Sequence, residues 1–352
     1  MSKSELVLFV WGAGSGVGGS ETRMAEVARH LTESGSTCLC YMLSEDSGTQ
    51  LAALMRENGA EVVASGSLSD FRRYVLAARP SLIVTFGFKA SVLTRAVRAV
   101  SRFQLRTWPV LVDARNGLEA GRARWVWMAD KVTSSFVDVY LANSDAVRAH
   151  LLDRGLPPRK IRVLYSALAD QWSMGRSGGA REPLSVAMIG NCRPEKRQEL
   201  GLAAFSRLTV DARLTVYTND ARRLKSLWNA SEAHDKRVEF VEGRTVKPAD
   251  LDKVAIVLHP SSHESAPRAL MEARARGCYV VAFDVGDTAR IVGNGGVVLA
   301  QDDTVALQEA LSESLALSSS GLLDHSPSTF DTVDEYASAL LAYARWSRTG
   351  KR

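Results

Sequence analysis

Short apolar runs of strand length alternate with helical stretches along almost the whole chain, and one glycine-rich segment interrupts them. Leu6–Trp11 (LVLFVW) is a continuous apolar run that ends in glycines. A helical stretch follows, with Met24, Val27, Ala28 and Leu31 at i, i+3, i+4 and i+7 and Gly35 as its stop. TCLCYML, AEVVAS, SLIVTF, PVLVDA and VDVYLAN repeat the strand signal. From Gln171 to Pro183 the pattern breaks at GRSGGAREP, a polar run with linker character. It restarts with LSVAMIG, RLTVYT, RVEFVEG, AIVLHP and YVVAFDV. Strands that alternate with helices predict a parallel sheet with both faces covered. The chain therefore reads as α/β, with Rossmann-like domains over 1–170 and 184–330, a linker over 171–183 and a closing helix over 331–352. Its 352 residues, 46% of them hydrophobic, suffice for two cores. Open parallel sheets bind ligands beyond the carboxyl ends of their strands, so two such halves imply a cleft between them.

Several classes are disfavoured. No apolar run reaches the roughly 18 residues of a membrane span, and the start, MSKSELVLFVWGAG, lacks the layout of a signal peptide. A cytoplasmic protein is expected. Cys38 and Cys40 are two apart on one strand face, and no second pair at zinc spacing accompanies them. The four cysteines read as buried apolar residues, and no metal site is expected. The net charge of +5 is unevenly spread, with Arg95, Arg98, Arg102 and Arg106 recurring at helical spacing among valines. That 92–106 stretch reads as a solvated helix face or as a peripheral contact with an anionic membrane. Without an aromatic platform it does not point to nucleic acid.

Three segments carry candidate chemistry. GAGSGVGGSE, Gly12 to Glu21, lies between a strand and a helix. Gly14, Gly16 and Gly19 satisfy G-x-G-x-x-G, yet no acid stands after the second strand to grip a ribose. What survives is a close backbone approach at Gly18 and Gly19, beside Glu21, at an anion-favouring helix start. The second segment, IGNCRPEKRQ, places Gly190, Asn191, Arg193 and Lys196 after a strand. The third is LHPSSHESAPRALMEARARG, Leu258 to Gly277. Glu264 stands in the loop before a helix that opens near Pro267, and Glu272, separated from it by seven residues, lies on that helix. Between them the N–H groups around Ala266, Arg268 and Ala269 face a diphosphate-sized anion, flanked by carboxylates suited to sugar hydroxyls.

ESAPRALMEA resembles the E-x7-E signature of retaining glycosyltransferases with the GT-B fold, the group 1 family. HPSSHE and ARARGCYVVAFDVGDTARIV resemble the stretches on either side of that signature. IGNCRPEKRQ resembles the family's diphosphate-gripping turn, with Lys196 on its lysine and Asn191 where arginine is usual. GGSETRMAEVARHL and VYLANSDAVRAHLLDRGLPPRKIRVLYSALA are similar to amino-terminal family segments, with Ser166 and Ala167 in place of Asn-Gly. The histidine common after the fourth or fifth strand is absent, and Asp113, Arg115 and Asn116 are the acceptor-side candidates of that region.

The resemblance implies a GT-B-like chain with two Rossmann-like domains facing a cleft, the C-terminal helix packing back on the amino-terminal domain. It implies metal-independent transfer of a hexose-type sugar, with retention, from a nucleotide diphosphate-sugar to a hydroxyl acceptor such as a polysaccharide, glycolipid or natural product. No cofactor is expected beyond that donor substrate. Glu264, Lys196 and Arg193 would be catalytic, with Glu264 on the sugar hydroxyls and Glu272 on the ribose. Gly18, Gly19 and Glu21 would approach the diphosphate or acceptor. Three alternatives stay open: an NAD(P)-dependent oxidoreductase, a non-catalytic nucleotide-sugar-binding relative and a sugar-nucleotide epimerase.

Overall fold

The computed structural model describes residues 4–12, 17–44, 49–105, 107–118, 123–174, 180–228 and 235–346. The chain divides into two compact units, Met1–Ala169 with Asp331–Arg352, and Asp170–Phe330.

The first unit is built on strands β1 (Leu6–Trp11), β2 (Thr37–Met42), β3 (Glu61–Ala64), β4 (Leu82–Phe86), β5 (Val110–Arg115), β6 (Val139–Ala142) and β7 (Ile161–Val163). They form one sheet in the order β3-β2-β1-β4-β5-β6-β7, and the pairings are parallel. Side chains alternate across a strand, so Val7, Phe9, Trp11, Cys38, Cys40 and Met42 enter one core layer while Leu8, Val10, Leu39 and Tyr41 enter the other. The helix Gly19–Glu33 covers the first layer with Met24, Val27, Ala28 and Leu31, the spacing read from the sequence. The helix Val333–Trp346 lies on the same layer through Val333, Tyr336, Ala337 and Leu340. The C-terminal helix thus packs on the amino-terminal Rossmann-like unit, as expected. Each fully buried Leu or Phe of this kind contributes about 1.5–3 kcal/mol. His30 Nε2 meets Asp334 Oδ1 at 2.8 Å, and the Arg23 guanidinium lies 5.4 Å from the centre of the Tyr336 ring.

All four cysteines are free and buried. Burial pushes the Cys38 thiol up to about 11 and the Cys40 thiol up to about 12, so both stay protonated.

The second unit repeats the plan. Its strands are β8 (Glu182–Ile189), β9 (Arg213–Thr218), β10 (Val238–Glu242), β11 (Val254–His259), β12 (Tyr279–Phe283) and β13 (Gly296–Leu299). Their order is β10-β9-β8-β11-β12-β13, again with parallel pairings. Val186, Met188, Ile256, Leu258, Val281 and Phe283 pack against Leu202, Phe205, Leu307, Leu311 and Leu315 of the helices Gln198–Ser206 and Thr304–Ser319. Gly201 allows the first of these helices to approach closely, since a Cβ there would collide with the Met188 sulfur.

Both sheets reverse direction once, between β1 and β4 and between β8 and β11. Such a switch point opens a crevice at the carboxyl ends of its two strands. The segment expected as a linker differs at its start. Asp170–Ser173 form a short helix of the second unit, because Trp172 is buried. Residues 175–179, the glycine-rich heart of that segment, lie outside the described residues.

Candidate functional site

In the second unit, the loops that leave β8 and β11 meet at the switch point. β11 ends at the buried His259. The following loop is tied to the turn Pro194–Lys196, where Ser262 N donates to Glu195 O at 2.9 Å. This tie brings distant residues together: Lys196 Nζ pairs with Glu264 Oε1, and His259 Nε2 lies 3.2 Å from the same oxygen. Burial alone would push the Glu264 carboxyl up. The hydrogen bond and charge of His259, with the Lys196 ammonium, outweigh burial and hold the carboxyl down to about 2. A third loop, after β12, supports the same residue from behind. Gly286 has φ +58°, and a Cβ there would collide with the carbonyls of Glu264 and Ser265. Asp287 N donates to Ser265 O at 2.9 Å.

The other candidates of this unit are placed as follows. Gly190 donates to Tyr217 O at 3.1 Å, accepts from Gln198 Nε2 at 3.1 Å, and faces the Lys196 stem. Asn191 O accepts from Arg193 N at 2.8 Å. The Arg193 side chain is 57% exposed and lies 4.0 Å from Glu195. Arg197 pairs with Asp302. Of the basic turn, Lys196 alone is placed on Glu264 among the described residues. The helix Arg268–Ala275 begins after Pro267, so Arg268 and Ala269 belong to its first turn, the positive end of its dipole, and Ala266 lies just before it. Arg268 Nε donates to Glu272 Oε1 at 2.7 Å, one turn along, so these two candidates hold each other. His259 was not singled out from the sequence, where it reads as the last residue of an apolar strand. Its one signal is its place five residues before Glu264.

In the first unit the structure corrects several expectations. Glu21 caps its own helix: its Oε2 accepts from Gly18 N at 3.0 Å and from Ser20 Oγ at 2.8 Å. The carboxylate is engaged locally, and Gly18 and Gly19 form the helix start. Gly14 and Gly16 lie outside the described residues. Asp113 and Arg115, the acceptor-side candidates, are buried core residues. Asp113 accepts from Arg95 at 2.5 Å, from Arg115 at 2.7 Å and from Ser91 at 2.7 Å. Asp130 accepts from Arg95 at 2.7 Å and from Arg115 at 2.9 Å. All four charged groups are buried. Burial would raise the Asp113 carboxyl, but the two guanidinium groups hold it below the ordinary range. Asn116 Oδ1 accepts from Arg23 Nη2 at 3.0 Å, and Arg23 also donates to Ser166. Arg23 and Ser166 thereby join Asn116 in one polar group that the sequence did not reveal.

The 92–106 stretch is likewise not a row of outward charges. Arg95 faces the core, Arg98 pairs with Asp138 at 2.6 Å, and Arg102 lies over the Phe103 ring at 4.6 Å. Arg106 lies outside the described residues. Among the described residues no three His, Cys, Asp or Glu side chains converge as metal ligands, and no helix is long and apolar enough to cross a membrane.

Two family models match. Residues 183–316 match "Glycosyl transferases group 1", and residues 17–168 match "Glycosyltransferase Family 4". No curated protein sequence matches the chain. Among solved structures, Anabaena HepE in complex with UDP is similar with a TM-score of 0.75 and 15% identity, covering 97% of this chain and 98% of that one. A glycosyltransferase from Rickettsia africae is similar with a TM-score of 0.75 and 14% identity, over 98% and 94%. The lipopolysaccharide outer core galactosyltransferase WaaB is similar with a TM-score of 0.71 and 15% identity, over 97% and 99%. The structural likeness supplies the fold and the two sequence models supply the family of each half: the chain carries a glycosyltransferase family 4 domain over residues 17–168 and a group 1 glycosyltransferase domain over 183–316, and it has the GT-B fold.

Proposed function

We propose that this glycosyltransferase moves a hexose-type sugar, with retention at the anomeric carbon and without a metal ion, from a nucleotide diphosphate-sugar to a hydroxyl acceptor. The observation that carries this reading is the convergence of Lys196, His259 and Glu264 at the β8/β11 switch point, beside the first turn of the helix Arg268–Ala275. A leaving diphosphate develops negative charge as its bond to the sugar breaks, and stabilising that charge is the main electrostatic task. Lys196 and the helix terminus supply positive potential there, which is why no metal is needed in this scheme. Glu264, kept ionised, accepts hydrogen bonds from the hydroxyls of the transferred sugar, and Glu272 is assigned to the ribose. The acceptor oxygen bonds to the anomeric carbon, and its proton leaves with the departing diphosphate. The donor class is supported by Anabaena HepE, whose structures hold UDP and UDP-glucose.

Calorimetry with UDP, GDP, dTDP and ADP, and with NAD and NADP as controls, tests the donor site. One nucleoside diphosphate is expected to bind, and more weakly to Lys196→Ala and Glu272→Ala. Binding of NAD or NADP that ignores both substitutions would refute the reading. Once an acceptor is found, the anomeric coupling constant of the product tests retention, and turnover in EDTA tests metal independence.

A further inference from the structure

The helix Arg124–Thr133 faces outward with the wrong chemistry for water. Its inner side is fixed in the core by Val126, Trp127 and Asp130, the last of these through Arg95 and Arg115. Its outer side carries Trp125, Met128 and Val132, which are 63, 64 and 74% exposed. At 100° per residue these three fall within about 60° of one another, opposite the buried side. Solvated helices place polar residues on that face, and a contiguous exposed apolar stripe marks a surface that something covers. Trp125 also touches the Phe88 ring edge-on, at 6.2 Å between centres, extending the stripe to the residue where the helix after β4 begins.

The charges say what covers it. Arg124 and Lys131 lie together along one flank of the stripe, both exposed, and neither makes an ion pair among the described residues. The one acid of this helix, Asp130, is buried in the ionic cluster, so its charge does not reach the surface. Among the described residues this helix is therefore apolar in the middle of its outer face and cationic along one flank, with a tryptophan at its first turn. An anionic bilayer surface has the complementary layout, with negative headgroups over an apolar layer. Tryptophan is enriched at that boundary, where an amphipathic helix lies in the interfacial plane.

We infer that the helix Arg124–Thr133 is a membrane-docking face that seats Trp125, Met128 and Val132 among the acyl chains of an anionic phospholipid surface, with Arg124 and Lys131 at the headgroups. This differs from the 92–106 stretch, where Arg95 and Arg98 are engaged in ion pairs within the unit. It does not depend on the donor chemistry, and the vesicle assay below reads it without turnover.

The test is sedimentation of the full chain with vesicles of phosphatidylcholine alone or with one-third phosphatidylglycerol, at low and high salt. The wild-type chain is expected to pellet with the anionic vesicles and to be released by salt. Arg124→Gln with Lys131→Gln should weaken that binding about thirtyfold, at about fivefold for each basic residue near such a surface. Trp125→Ser, Met128→Ser and Val132→Ser combined should weaken it on the order of a hundredfold. All five residues are exposed, so circular dichroism and melting should be unchanged, separating lost docking from lost folding. Equal partitioning of the wild-type and triple variant would overturn the inference. So would a wild-type dimer in size-exclusion chromatography that the triple variant breaks while neither binds vesicles, since the stripe would then be an interface between copies.

Discussion

Replacing Glu264 by glutamine should make the stability of the second unit depend on pH in a calculable way. The carboxyl sits at about 2 in the folded chain against an ordinary 4.5. One decade of proton affinity is worth about 1.4 kcal/mol, so folding favours the ionised form by about 3 kcal/mol. The side chain is only 13% exposed, so solvent screens little of this. Glutamine has the shape of the protonated acid without its charge, and it leaves Lys196 and His259 facing a neutral amide. The folded value is depressed, so the contribution is complete above about 4.5 and is lost as pH falls through about 2. Urea unfolding of wild type and Glu264→Gln at pH 7, 5, 4 and 3 isolates this one group, because every other carboxylate is common to both. The expected gap is about 3 kcal/mol at pH 7 and 5, narrowing steadily below. A gap under about 1 kcal/mol at pH 7, or one that stays constant down to pH 3, would show that Lys196 and His259 do not hold the carboxylate as described.

Other substitutions test separate parts of the reading. Lys196→Ala should lower donor turnover by about a hundred- to a thousandfold, as for loss of one donor to a developing anion, and should also lower the melting temperature, because it removes one of the partners that hold the buried Glu264 carboxylate. Gly286→Ala should destabilise the second unit by at least about 1–2 kcal/mol, because of its positive φ and the collision behind Glu264. A Glu264-dependent loss of turnover should accompany it in a steady-state assay. Asp113→Asn leaves two buried guanidinium groups facing one carboxylate and should cost about 3–5 kcal/mol in urea unfolding. A cost below 1 kcal/mol would show that the cluster is hydrated.

Most strands were legible because a buried parallel strand needs an unbroken apolar run. LVLFVW, TCLCYML and SLIVTF fall on β1, β2 and β4 almost residue for residue. The E-x7-E segment was legible for a related reason, since strand, loop and helix all lie within one stretch of sequence. What escaped was long-range. Arg95 looks like a member of a solvated basic row, and only Asp113 and Asp130, brought in by β5 and a later helix, make it a core residue. His259 looks like the end of a strand until Lys196, more than sixty residues away, shares Glu264 with it. Arg193 matched a motif by proximity, and its half-exposed side chain is placed near Glu195.

The helix Val333–Trp346 has a consequence for synthesis. Val333, Tyr336, Ala337, Leu340 and Ala344 are part of the core layer that also contains Val7, Phe9 and Trp11. A chain leaving the ribosome therefore leaves exposed the part of that layer not covered by the helix Gly19–Glu33 while the whole second unit is being made. At about 5–20 residues per second the interval lasts roughly ten to thirty-five seconds. The unit encoded later has all its strands and helices in one continuous stretch and can mature first. The unit encoded first waits for the helix Val333–Trp346, with the apolar patch it will cover open to chaperones or to a neighbouring nascent chain.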